Sequence, residues 1–138
     1  MLVRDNVKVK SFILDDKEAD FLGTWTPKDP HFGAFSMYVT EKKADDEKGF
    51  DVKGYIWDCI GFANFDGKVD HSKFEFTKVY DGAAMAKGGF NGEIQYSVKT
   101  EDEPGKLTGK YTEPGTFSYS APTWVKFQKF NLNKPSNN

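Results

Sequence analysis

The stretch Phe74–Gly82, FEFTKVYDG, decides the fold. Its residues fall into two alternating rows: Phe74, Phe76, Lys78 and Tyr80 on one side, Glu75, Thr77 and Val79 on the other. A period of two with β-branched and aromatic residues predicts a strand with one face in a core. A lysine in the aromatic row either marks the end of that core or belongs to a buried polar site. An unpaired interior charge is costly, so the second case demands a partner.

The same alternation recurs along the chain. Phe90, Ile94, Tyr96 and Val98 interleave with Asn91, Glu93, Gln95 and Ser97, and Leu107, Gly109 and Tyr111 with Lys106, Thr108 and Lys110. Strand and turn signals together predict about eight strands. They lie near Leu22–Pro27, Ala34–Thr40, Phe50–Asp58, Gly61–Phe65, Lys73–Tyr80, Gly89–Val98, Lys106–Thr112 and Thr116–Phe130. Gly54, Gly92 and Gly109 fall in inward rows and predict bends or close approaches. EKKADDEKG, DGKVDHS, YDGAAMAKGG and KTEDEPGK read as turns or loops. All are too short for a β-α-β crossover, so the sheet is antiparallel. One short helix is expected in DDKEADFLG, with Asp15 as cap and Glu18 three residues on.

Sequential hairpins, each with one apolar face, close into an eight-stranded up-and-down barrel that leaves no edge strand. A two-sheet sandwich is the alternative, disfavoured because it needs longer connections. The expected organisation is an N-terminal arm or extra strand with a short helix over 1–20, the barrel over 21–130 and a flexible tail over 131–138.

The 138 residues suit one domain, and 13 Phe supply bulk for a core. Net charge is -2, which argues against nucleic acid or an anionic membrane as partner. A mean hydropathy of -0.65 and the absence of a long apolar run argue against a membrane span. With one cysteine, Cys59, no disulfide forms within the chain. MLVRDNVKVK lacks the apolar segment of a signal peptide, so a cytoplasmic location is expected.

Several motifs resemble those of the calycin superfamily of lipocalins, fatty-acid-binding proteins and avidins. FLGTWTP resembles its opening G-x-W strand. GYIWDCIGFANFDG, FTKVY, GGFNGEIQYSV and KLTGKYTEPGTFSY resemble the glycine-paced series that follows. The resemblance implies a barrel, an interior ligand, and a basic residue of the last strand, Lys126 or Lys129, packed over Trp25. The helical lid of fatty-acid-binding proteins and the terminal helix of lipocalins are not matched.

Continuing the inward row Val52, Gly54, Ile56 turns Asp58 inward as well, and Asp58 is the expected partner of Lys78, with the Tyr80 hydroxyl nearby. His31 and His71 lie in turns without further ligands at metal spacing, so no metal is expected. Asp70, His71 and Ser72 are chain neighbours and do not form a triad, since a triad converges from separate segments. No phosphate loop is present, and neither catalysis nor a cofactor is expected. Cys59 is expected as a buried or half-buried structural thiol. Tyr55 and Trp57 face outward, either as a partner patch or under the arm VKVKSFIL.

Two functions follow from these readings. In one, a small apolar molecule sits in the barrel against Phe35, Met37, Ile56, Phe76, Ile94 and Tyr96, oriented by Lys78 or Tyr80. In the other, the barrel is solid, and the protein is an interaction or structural module meeting a protein partner through its outer surface and loops.

Overall fold

A computed structural model describes residues 17–24, 34–45, 49–86, 91–100, 106–113 and 119–132. It is a closed antiparallel barrel of eight strands in sequential order. The strands are β1 (Phe21–Thr24), β2 (Ala34–Ala44), β3 (Phe50–Asp58), β4 (Phe62–Val69), β5 (Lys73–Tyr80), β6 (Glu93–Thr100), β7 (Lys106–Glu113) and β8 (Tyr119–Phe127). β8 returns to β1, with Phe21 opposite Phe127 and Thr24 opposite Trp124, so the barrel closes with the expected up-and-down order. No described helix is long and apolar enough to cross a membrane.

The inward rows build one core. Phe21, Phe35, Phe74, Phe76 and Tyr96 are all at most 3% exposed. Their rings are linked across the axis: Phe21 to Phe74 at 4.8 Å, Phe74 to Phe76 at 4.6 Å, and Phe76 stacked on Tyr96 at 4.4 Å. Phe65 adds edge contacts to Phe74 and Phe76 from β4. Side chains therefore occupy the middle of an eight-strand interior, as the size of such a barrel allows. At the end of the barrel where β3 begins, Phe130 packs on Phe21 at 5.0 Å and on Phe50 at 5.6 Å. The Lys42 ammonium lies over the Phe50 and Phe130 rings and donates to the Asn131 carbonyl oxygen at 3.0 Å. Leu132 packs against the same cluster, so the described part of 131–138 belongs to this closure.

Several boundaries depart from the sequence reading. β2 continues through the charged run to Ala44, with a register shift between Val39 and Glu41. At that bulge β3 comes very close: a Cβ on Gly54 would run into the Tyr38 carbonyl oxygen. β4 runs on through Asp66–Gly67, which had read as a turn. Gly67 lies against Glu75 and Phe76 so tightly that a Cβ would overlap their atoms, so it serves close strand approach and not a turn. The turn falls at Asp70, whose Oδ1 accepts Ser72 N, Ser72 Oγ and Lys73 N. β6 starts at Glu93, and Gly92 sits just before it, outside the strand.

The expected helix over DDKEADFLG does not extend through its described part. Lys17–Asp20 is a turn and bend, and Phe21–Gly23 is strand, because the Phe21 ring is needed in the core. Asp20 instead ties the seam: its carbonyl oxygen accepts Gln128, Lys129 and Phe130 N–H, and its carboxylate accepts Val39 N–H. Asp15 lies outside the described residues. A short helix, α1 (Gly82–Ala86), stands where a loop was expected. Asp81 caps it, accepting Ala84 N–H at 2.8 Å.

Candidate functional site

The polar group inside the barrel is Asp58 with Lys78 and Tyr80. Asp58 is the last residue of β3, and Lys78 and Tyr80 are inward residues two strands away on β5. β4 lies between them, and its inward residue opposite both Ile56 and Tyr80 is Ala63. That short side chain leaves the room through which β3 and β5 residues meet. The Lys78 ammonium is 2.6 Å from Asp58 Oδ2, and the side chains are 1% and 0% exposed. The Tyr80 hydroxyl donates to the same oxygen at 2.5 Å. The other oxygen, Oδ1, accepts the Ile60 and Gly61 amides at 2.8 and 2.9 Å.

Asp58 therefore receives four donors, two from side chains and two from the turn that follows it. This arrangement is what a buried carboxylate needs to remain charged. The ammonium also sits 4.5 Å from the Tyr80 ring centroid, 5.6 Å from Phe35 and 6.0 Å from Tyr96. Burial, followed by the adjacent Asp58 charge, pushes the Tyr80 phenol far above its ordinary range. Tyr80 is thus a neutral donor at every physiological pH. A carboxylate with its lone pairs occupied and a phenol that does not ionise are poorly suited to proton transfer.

Every other residue expected to line the interior is there. Phe35, Met37, Ile56, Phe76, Ile94 and Tyr96 are each between 0% and 3% exposed, and they belong to one packed cluster. Phe35 and Tyr96 touch at 5.9 Å, directly beneath the Lys78 ammonium. The two turn amides were not foreseen. The signal was present in Asp58-Cys59-Ile60-Gly61, an Asx turn in which an aspartate side chain bonds the backbone ahead of it.

Other expected features separate from this cluster. Cys59 is exposed, not buried or half-buried: it follows the last residue of β3, in the turn whose Ile60 and Gly61 amides bond Asp58. Trp25 and the arm VKVKSFIL lie outside the described residues. Lys126 is exposed, and Lys129 forms a surface ion pair with Glu18 at 3.1 Å. His31 also lies outside the described residues. Asp70, His71 and Ser72 form the β4–β5 turn. Burial opposes ionisation of Asp70, but the Ser72 and Lys73 donors outweigh it and hold its carboxyl below the usual range. On the outer wall, Tyr38 stacks on Tyr55 at 4.9 Å and Tyr55 on Phe62 at 5.5 Å. Trp57 meets Phe62 edge-on and is only 4% exposed.

Comparisons with protein-family models, with curated proteins and with solved structures find no match to this chain. The antiparallel closed barrel is compatible with a calycin-like architecture, and the reading of function rests on the geometry.

Proposed function

We propose that the protein is a non-enzymatic solid barrel that acts as an interaction or structural module through its outer surface and loops. The observation that carries this reading is the unbroken chain of ring contacts in the interior, from Phe21 through Phe74 and Phe76 to Tyr96. The positions that a carrier would offer to a ligand are spent on one another. Lys78, the residue that would orient a ligand, is committed to Asp58 and stands over the rings of Phe35 and Tyr96. A pocket for a small apolar molecule usually amounts to roughly 300 Å³ or more. Among the described residues, a ligand seated against Phe35, Phe76 and Tyr96 would have to displace rings packed on one another, which costs more than a typical small-ligand contact returns.

The described open cleft suits the same reading. It has a volume of about 630 Å³ on the wall of β2 to β6, and its lining includes Glu41, Lys53, Asn64, Asp66, Thr77 and Glu93. Gly54, Phe65 and Val79 also line it, and this mixture of charged, polar and apolar groups on an open wall suits the surface of another macromolecule.

Native mass spectrometry of the purified protein tests the proposal. The expected mass is that of the polypeptide alone, before and after mild collisional activation. A small molecule that co-purifies in stoichiometric amount and is released on unfolding overturns the solid-barrel reading in favour of a carrier.

A further inference from the structure

β2 outruns the strand beside it. β1 covers β2 only from Ala34 to Met37, whereas β2 extends to Ala44. The Asp20 carboxylate takes the Val39 N–H and ends the pairing on that side. From Thr40 to Ala44 the strand is held by β3, and among the described residues no backbone pairs with its other edge. Thr40, Glu41, Lys43 and Ala44 are exposed there.

The bulge decides which groups face the open side. Met37 and Val39 direct their backbone groups toward β1, so Tyr38 faces β3. The register shift puts Glu41 opposite Lys53 and Lys43 opposite Asp51, so that Glu41 and Lys43 bond β3. Lys42 and Ala44 therefore turn N–H and C=O outward. The Lys42 side chain bends away to the Phe50 and Phe130 rings, which leaves Glu41 and Lys43 as the charges on the outer face.

We infer that this edge pairs with the same edge of a second copy, antiparallel about a two-fold axis through Lys42. In that register Lys42 exchanges both backbone hydrogen bonds with its equivalent. Glu41 then lies opposite Lys43 of the second copy, at a non-hydrogen-bonded position where side chains approach closest. The charges extend the match on both sides. Asp66 is opposite Lys53 and Lys53 opposite Glu41 in one chain, and Lys43 is opposite Asp51 and Asp51 opposite Lys68 in the other. The joined row reads Asp66, Lys53, Glu41, then Lys43, Asp51, Lys68, alternating in sign throughout.

Neighbouring registers that keep the same hydrogen-bonding groups fail. One sets Glu41 against Glu41, and the other sets Lys43 against Lys43. The bulge and the lysines that blunt this edge against indiscriminate pairing thus leave one symmetric partner open. This pairing does not depend on whether the interior takes a ligand.

Sedimentation velocity at low salt, from roughly 10 μM to roughly 1 mM, tests it, since a short edge gives a weak dimer. The wild type is expected to move from monomer to dimer across that range. Glu41→Lys and Lys43→Glu each create like-charge oppositions and are expected to weaken association about tenfold or more. An equimolar mixture of these two variants restores opposite charges at both positions, so a mixed dimer is expected. Both sites are exposed, so circular dichroism is expected to match the wild type in each case. A wild type that stays monomeric throughout, or single variants that associate as well as the wild type, overturns the inference. So does a mixture that stays monomeric.

Discussion

Replacing Lys78 with methionine removes the ammonium while keeping most of the stem volume, and leaves Asp58 buried without its cation. At 2.6 Å the two charges attract by about 6 kcal/mol when an effective dielectric near ~20 applies. Some of this is returned, because the lysine no longer has to be desolvated. The net loss on breaking such a pair is typically about 3–5 kcal/mol. Asp58 keeps the Tyr80 hydroxyl and two amides, which places the expected loss near the lower bound, about 3 kcal/mol. Asp58→Asn alone is expected to cost a similar amount, because it turns an amide N–H toward the ammonium. The double variant Asp58→Asn/Lys78→Met carries no buried charge. Its amide oxygen accepts from Ile60 and Gly61, and its amide N–H donates to the Tyr80 oxygen. The expected loss is only about 1–2 kcal/mol. The double variant is thus more stable than either single variant. Urea unfolding followed by tryptophan fluorescence measures this. With an m-value near ~2 kcal/mol/M, the single variants lose roughly 1.5 M in midpoint and the double variant less than about 1 M. A double variant no more stable than the more stable of the two single variants refutes the reasoning, as does a Lys78→Met midpoint within about 0.3 M of the wild type.

The Tyr80 phenol should titrate only with unfolding. Its folded pKa lies above its unfolded value, so its contribution is full below pH 10.0 and is lost as pH rises beyond it, while the unfolded chain ionises. Ultraviolet titration is expected to show one tyrosine ionising with alkaline unfolding, and Tyr80→Phe to remove that step; a step that persists in the variant counts against this assignment. Gly54→Ala forces a methyl into the Tyr38 carbonyl oxygen and is expected to cost about 2–3 kcal/mol. That corresponds to a Tm lower by roughly 6–12 °C in a melt, and an unchanged Tm contradicts the close approach.

The strand pattern and the Asp58–Lys78 geometry were legible for one reason. A period-two row fixes which residues share a face, and a charge in such a row must be compensated. Glycine and charge were harder to read. Asp66-Gly67 has the composition of a turn, yet its glycine is required by the closeness of Glu75 and Phe76, which only the neighbouring strand reveals. Glu41-Lys42-Lys43 has the composition of a solvated loop, but β2 runs through it, paired with β3, and the Lys42 ammonium lies over Phe50 and Phe130. Cys59 was expected inside because a free thiol is usually buried, yet it stands just past the end of β3 and is exposed. For Gly67 and Lys42 the deciding neighbour stands on another strand or segment of the barrel.

The closing seam has a kinetic consequence. Seven of the barrel's pairings join consecutive strands, and the eighth joins β1 to β8. There the Thr123 hydroxyl donates to the Thr24 carbonyl oxygen across 99 positions. Hairpins between consecutive strands form in about 1–10 μs, while the seam carries the cost of closing a very long loop. β1 offers only four residues to meet that cost, assisted by the three amides gathered on the Asp20 carbonyl oxygen. All eight strands can zip up through these seven local pairings and wait. The seam is therefore where a nearly complete barrel commits to folding, and where, on unfolding, it first comes apart.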